Sequence, residues 1–249
     1  MSQLGEPVAV AMADDLVDEC PFSHEDGPHN EQNDLTNNPS LLGSNLKSGG
    51  EPIQIQVKVR KNVRPMECGF GAHHVIPGDA SLNKSTQLLQ WMKKGDLKGD
   101  VGYGVNHKNN GIWLPGNYRW NPNTLMKWGQ LAASGGFEIQ YGYAYAAMSA
   151  TQRQFHDAHP TYSGWVRLAL EKIRVKMLEL KSSCSKCDKK NNQKPYNPPY
   201  KLVGMLDGLS ERLRGKLRYP ASQWVPPFYT SEMSVLMHTG LTPDSIALL

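Results

Sequence analysis

Apolar and polar residues alternate along Ile53-Gln54-Ile55-Gln56-Val57-Lys58-Val59-Arg60, the period of a half-buried strand. The period becomes helical at Val166, Ala169, Leu170, Ile173, Met177 and Leu180, which predicts an amphipathic helix over 161–181. Ser85 to Lys94 reads as a shorter helix, with Ser85 as cap, Gly95 as stop, and Leu88, Leu89 and Met92 facing inward. Asn110-Gly111 is a turn signal, and Ile112-Trp113-Leu114-Pro115 reads as a brief strand after it. Tyr141, Tyr143 and Tyr145 fall at every second position, and this alternation fits a half-buried strand better than a base-stacking run. A short helix from Leu202 to Leu213 and irregular proline-containing chain complete an α+β pattern without internal repeats.

The two ends read differently from the middle. Residues 1–50 are rich in Asp, Glu, Asn, Ser, Gly and Pro, a composition that does not offset ordering entropy alone. They read as an acidic leader or docking segment, in which Val8 to Met12 has the makings of a strand paired against something else. Residues 51–181 read as the folded domain. Residues 182–249 begin with a Lys/Asn/Pro linker to Tyr200 and read as an accessory region. No run of eighteen apolar residues exists, which argues against a membrane span. The first residues lack a basic segment followed by an apolar one, so Sec-type secretion is not expected.

Charge sharpens this division. Residues 1–57 carry a formal −9 and the remainder +13, within a total of +4. A body that basic suits a polyanionic partner, because neutralising phosphates releases counterions. The four cysteines are too few for a disulfide scaffold of this length. Cys184-Ser185-Lys186-Cys187 is a lone CxxC: half of a structural zinc site, or two unlinked thiols in a loop.

Chemistry enters with the histidines. His73-His74 follows a strand, Asn110 precedes a short strand, and His156 and His159 open a helix. In that order a β-hairpin delivers a base and the helix beside it a metal ligand. Phosphodiester hydrolysis needs both a base that activates water and a divalent cation that offsets charge on phosphate. Each piece also has a structural reading: a buried core pair, a plain turn, and cap residues beside Pro160 at a natural first helical position. Asn106 and His107 offer a rival Asn and a rival ligand. A non-enzymatic alternative is a zinc-stabilised nucleic-acid-binding module.

Three blocks, Gly71-Ala72-His73-His74-Val75-Ile76-Pro77, Asn110-Gly111-Ile112-Trp113-Leu114-Pro115 and His156-Asp157-Ala158-His159-Pro160-Thr161-Tyr162, together resemble the AHH family of toxin nucleases in the HNH/endonuclease VII superfamily. The resemblance implies a ββα-metal (His-Me finger) core and metal-dependent cutting of DNA, with RNA an alternative substrate. It implies that His74 is the general base, that Asn110 braces the hairpin and orients the base, and that His73, His156 and His159 bind the metal, with His156 and His159 on one helical face. The metal it implies is divalent: Mg2+, or Zn2+, Ni2+ or Mn2+. Tyr162 is the implied phosphate contact, and Lys84, Lys93, Lys94, Arg119 and Arg153 are further candidates. The family's usual setting implies a secreted antibacterial effector, made in the bacterial cytoplasm and passed by a specialised secretion system and its carrier into a target cell. There a cognate immunity protein neutralises it.

Overall fold

The computed structural model describes residues 35–59, 64–93, 103–120, 127–184 and 202–246. Its centre is an antiparallel hairpin of β3 (Gly69–His74) and β4 (Gly111–Gly116), in register from Gly69 opposite Gly116 to His74 opposite Gly111. A smaller pair, β1 (Gln56–Val57) and β2 (Met66–Glu67), leads into it. The expected strand over 53–60 is thus reduced to two residues. Val57 is buried and Ile55 partly so, whereas Ile53 is 58% exposed.

Helices cover the hairpin. The predicted helix over 161–181 is α5 (Pro160–Ser182), which buries Val166, Ala169, Leu170, Ile173 and Met177. Pro160 begins it, where its missing N–H and fixed φ cost nothing. The predicted 85–94 helix is α2 (Thr86–Lys93), with Leu88 fully buried and the Ser85 carbonyl accepting its first helical bond from Leu89. The helix expected at Leu202–Leu213 runs a turn further, as α6 (Leu202–Arg218). One core joins α5 and α6 to Ile112 and Leu114 of β4 and to Val75 and Ile76 beyond β3.

The second core overturns one expectation. Tyr141, Tyr143 and Tyr145 lie in a helix, α4 (Phe137–Thr151), which follows the short α3 (Trp128–Leu131), rather than in a strand. Tyr141 gives its hydroxyl to the Leu241 carbonyl and Tyr143 to that of Gly116, and both are fully buried. Residues two apart on a helix point to opposite sides, and here both sides meet protein: β1 on one, α7 (Glu232–His238) and α8 (Pro243–Ile246) among the others. A helix apolar all round shows no helical stripe, and so its period is uninformative.

The end of the stretch read as leader is also structured. Helix α1 (Pro39–Lys47) starts at an Asn38 cap and buries Leu42 against the hairpin. Gly111 makes room there, since a Cβ would lie 2.7 Å from a Leu42 methyl. Likewise α6 and α7 belong to the two cores rather than forming a separate appendage. Val8 to Met12 lies outside the described residues. No described helix is long and apolar enough to cross a membrane.

Candidate active site

His73, the penultimate residue of β3, lies opposite Ile112 of β4 and is 2% exposed. Two other imidazoles meet it, from a segment that β4 and the C-terminal region grip from opposite sides. The His156 amide donates to the Pro115 carbonyl at 2.7 Å, next to a parallel bridge between Gly116 and His156. The Phe155 and Asp157 amides donate to Ser234 Oγ and the Thr230 carbonyl, while the Gln154 side chain bridges Phe228 and Thr230. His156 therefore sits on extended chain and His159 at the N-cap of α5. The expectation that both occupy one helical face is corrected: the helix begins only at Pro160. The His159 ring makes no capping bond, and its Nε2 lies 3.3 Å from His156 Nε2.

The His73 ring centroid is 4.9 Å from each of these rings, and one ligand nitrogen from each of the three lies within 4.8 Å of the others. His73 Nε2 is buried without a hydrogen-bond partner. A buried polar atom left this way costs about 1–3 kcal/mol, which a metal ion in the cluster would offset. Burial above all, then the neighbouring histidines, holds His73 well below the usual imidazole value. Burial, then His159 and His74, pushes His156 down to about 4. Burial also lowers His159, against the pull of its backbone hydrogen bond and of Asp157. All three are neutral near pH 7, the state in which imidazole binds a metal. The cluster fits a divalent cation, with three protein ligands and an open side.

Tyr118, which the sequence reading passed over, completes the arrangement. Its hydroxyl hydrogen-bonds His156 Nδ1 and its ring stacks on that imidazole, interplanar angle 21°. The ring lies over the hairpin where Gly71 and Gly116 have no Cβ; a side chain at either would overlap it. Glycines on both strands of the hairpin, with a tyrosine two residues after the second strand's glycine, were the available signal.

His74 is 7% exposed, and its Nε2 lies 2.8 Å from Asn106 Oδ1. That oxygen also accepts from the Asn38 amide, while Asn106 Nδ2 donates to the Thr36 carbonyl. The carboxamide orientation is thereby set, so His74 Nε2 is the donor and carries the ring proton. Asn110 has the bracing role alone. Fully buried, it accepts from the Ile76 amide and Ser210 Oγ, and donates to the Ile76 and Val105 carbonyls. Orientation of His74, expected of Asn110, thus falls to Asn106. His107 accepts from the Asn109 amide and is absent from the three-histidine cluster.

The other candidates separate. Tyr162 is fully buried and donates to the Val75 carbonyl at 2.7 Å, packing edge-on to His73, so it supports the site from beneath rather than meeting substrate. Arg119 is paired with Glu67 at 3.0 Å, Arg153 donates to the Trp113 carbonyl, and Lys84 is exposed. The side chains of Lys93 and Lys94 lie outside the described residues. Cys184 packs beside the α5–α6 core, and Cys187 lies outside the described residues.

A family model described as a nuclease family of the HNH/ENDO VII superfamily with conserved AHH matches residues 58–195, more than half of the chain. That span contains Ala72-His73-His74, Asn106, Asn110, Tyr118, His156 and His159. No curated protein and no solved structure matches.

Proposed function

The chain belongs to the AHH nuclease family of the HNH/ENDO VII superfamily, and from that premise we propose that it is a DNA endonuclease in which His74 activates water beside a divalent cation held by His73, His156 and His159. It is a hydrolase of phosphodiester bonds by its family. The observation that carries the finer reading is the convergence of three buried neutral imidazoles next to a fourth whose tautomer is set. With its proton on Nε2, His74 has its basic lone pair on Nδ1, which takes the proton of the attacking water. Asn106 keeps the ring from turning. Tyr118, by accepting the Nδ1 proton of His156, turns the Nε2 lone pair of that residue into the cluster.

A bound cation supplies neutralisation of charge on the phosphoryl and leaving oxygens. An all-imidazole set suits Zn2+ or Ni2+ better than Mg2+ or Mn2+, which prefer oxygen ligands. A closed structural zinc site needs a fourth protein ligand, and the cluster among the described residues has three. This favours catalysis over a purely structural metal.

The wider setting we propose is that of a secreted antibacterial effector, made in the bacterial cytoplasm and delivered by a specialised secretion system with its carrier. A cognate immunity protein would be acidic, to match a body of formal charge +13. Incubating purified protein with plasmid DNA and total RNA, with and without EDTA, tests the enzyme. Cutting of DNA that EDTA stops is the expected result; cutting of RNA alone, or cutting indifferent to EDTA, overturns the reading. Expression in a bacterial cytoplasm tests the toxin: wild type should arrest growth and His74→Ala should not.

A further inference from the structure

A cavity of about 360 Å³ opens beside the hairpin, away from the histidine cluster. Its lining includes Trp113 of β4, Arg153 after α4, and Arg214 and Arg218 on one face of α6, with Lys108 from the turn before β4. The lining carboxylate is Glu51, which is exposed and paired with Lys47 at 3.1 Å. Four cations thus share the space with one spoken-for anion.

Two donors there lack partners: Arg214 Nε and Trp113 Nε1 are both buried without a hydrogen bond. Arg153 uses one guanidinium nitrogen on the Trp113 carbonyl, and Arg214 one on Glu211. Arg218 is exposed and makes no ion pair among the described residues. Its charge, second to burial, holds both Arg153 and Arg214 below the usual guanidinium range. Like charges crowded around unpaired donors are the complement of an absent anion.

We propose that this cavity is a second nucleic-acid contact, holding one backbone phosphate of a strand engaged at the histidine cluster. Planar guanidinium forks match phosphate oxygens. Trp113 follows Ile112, the register partner of His73, and successive strand residues face opposite sides, so β4 presents one side to the histidine cluster and the other to the cavity. A mononucleotide offers no second phosphate for the cavity, whereas a polymer carries one at every nucleotide. The proposal rests on the nuclease reading for its ligand, but its test does not depend on cutting.

The full chain is titrated in EDTA with a labelled double-stranded oligonucleotide across a salt series. Arg218→Gln and Lys108→Gln, both at exposed positions, should each weaken binding roughly three- to tenfold and reduce the salt slope by about one. Lys176→Gln, several turns along α5 from His159, is the charge-matched control and should have a smaller effect. Metal affinity by calorimetry should be unchanged in all three variants. Equal effects of Lys176→Gln and Arg218→Gln would reduce the cavity to general surface charge and overturn the proposal. So would weakened binding of a poly-glutamate peptide with oligonucleotide binding intact, which would make the cavity a carboxylate site for a protein partner. If wild type binds DNA without cutting it, and Arg218→Gln still weakens that binding, the nuclease reading fails and the cavity stands.

Discussion

His74 and Asn106 are 32 positions apart in the chain, and the imidazole Nε2 of one lies 2.8 Å from the carboxamide oxygen of the other. Asn106 is itself held from the N-terminal side: it accepts from the Asn38 amide at its side chain and from Asn45 Nδ2 at its carbonyl. The His74 ring is therefore held by a residue that is itself fixed from α1 and its cap.

Replacing His74 with Ala is expected to lower the cleavage rate by about 10²-fold or more, the scale of a general base. Asn106→Ala should cause a smaller loss while metal affinity stays at the wild-type value, because it acts on the base and not on the ligands. Initial rates on plasmid DNA and calorimetric titration of the metal check both. A folded Asn106→Ala variant that cuts as fast as wild type would remove Asn106 from the mechanism.

The three cluster histidines should each matter for the metal. His73→Ala, His156→Ala and His159→Ala are expected to bind it much more weakly, whereas His107→Ala should bind it normally. Tyr118→Phe removes the hydroxyl that fixes His156, and partners of this kind are worth about 10- to 100-fold in affinity or activity. If all three alanine variants keep wild-type affinity, the metal lies elsewhere.

Acid should destabilise the metal-free protein through the same residues. An imidazole in the unfolded chain titrates near 6.5, whereas burial and neighbouring histidines push folded His156 down to about 4. His73 and His159 move in the same direction. Below about pH 6.5 the unfolded state binds more protons, so stability is full above that value and falls as pH drops toward 4. Urea midpoints measured in EDTA across this range should fall with acid, and less steeply in His156→Gln. A wild-type midpoint that stays level down to pH 4 would contradict it.

Truncation should distinguish two parts of the N-terminal stretch. Removing residues 1–34 keeps α1 and serves as the reference. Removing residues 1–50 takes away α1, the Leu42 packing and the grip on Asn106, and should lower both stability and cutting. Leu42→Ala alone is expected to cost about 2–5 kcal/mol, as for a fully buried leucine. Equal midpoints for the two truncations would show that α1 contributes nothing to the fold.

What the sequence determined by itself is local. Helix α5 was legible because its apolar stripe faces one core and its other face is wet, and because Pro160 marks its start. Strand β4 was legible from the Asn110-Gly111 turn, and the order of His73-His74, Asn110, His156 and His159 carried the resemblance to a nuclease family. Tertiary structure decided the rest. The α4 tyrosines pack on opposite sides of one helix, so burial all round erased the period that would have marked it. Composition made residues 35–50 look like leader, yet Leu42 is buried because the hairpin glycine Gly111 leaves space for it. The division of labour between Asn106, which orients His74, and Asn110, which braces the hairpin, depends on hydrogen bonds spanning 34 positions or more, to Asn38, Ile76 and Ser210. Tyr118 meets His156 only because β4 and the 154–157 segment lie side by side. Sequence periodicity records which face of an element is buried; it carries no record of which distant atom a side chain will meet there.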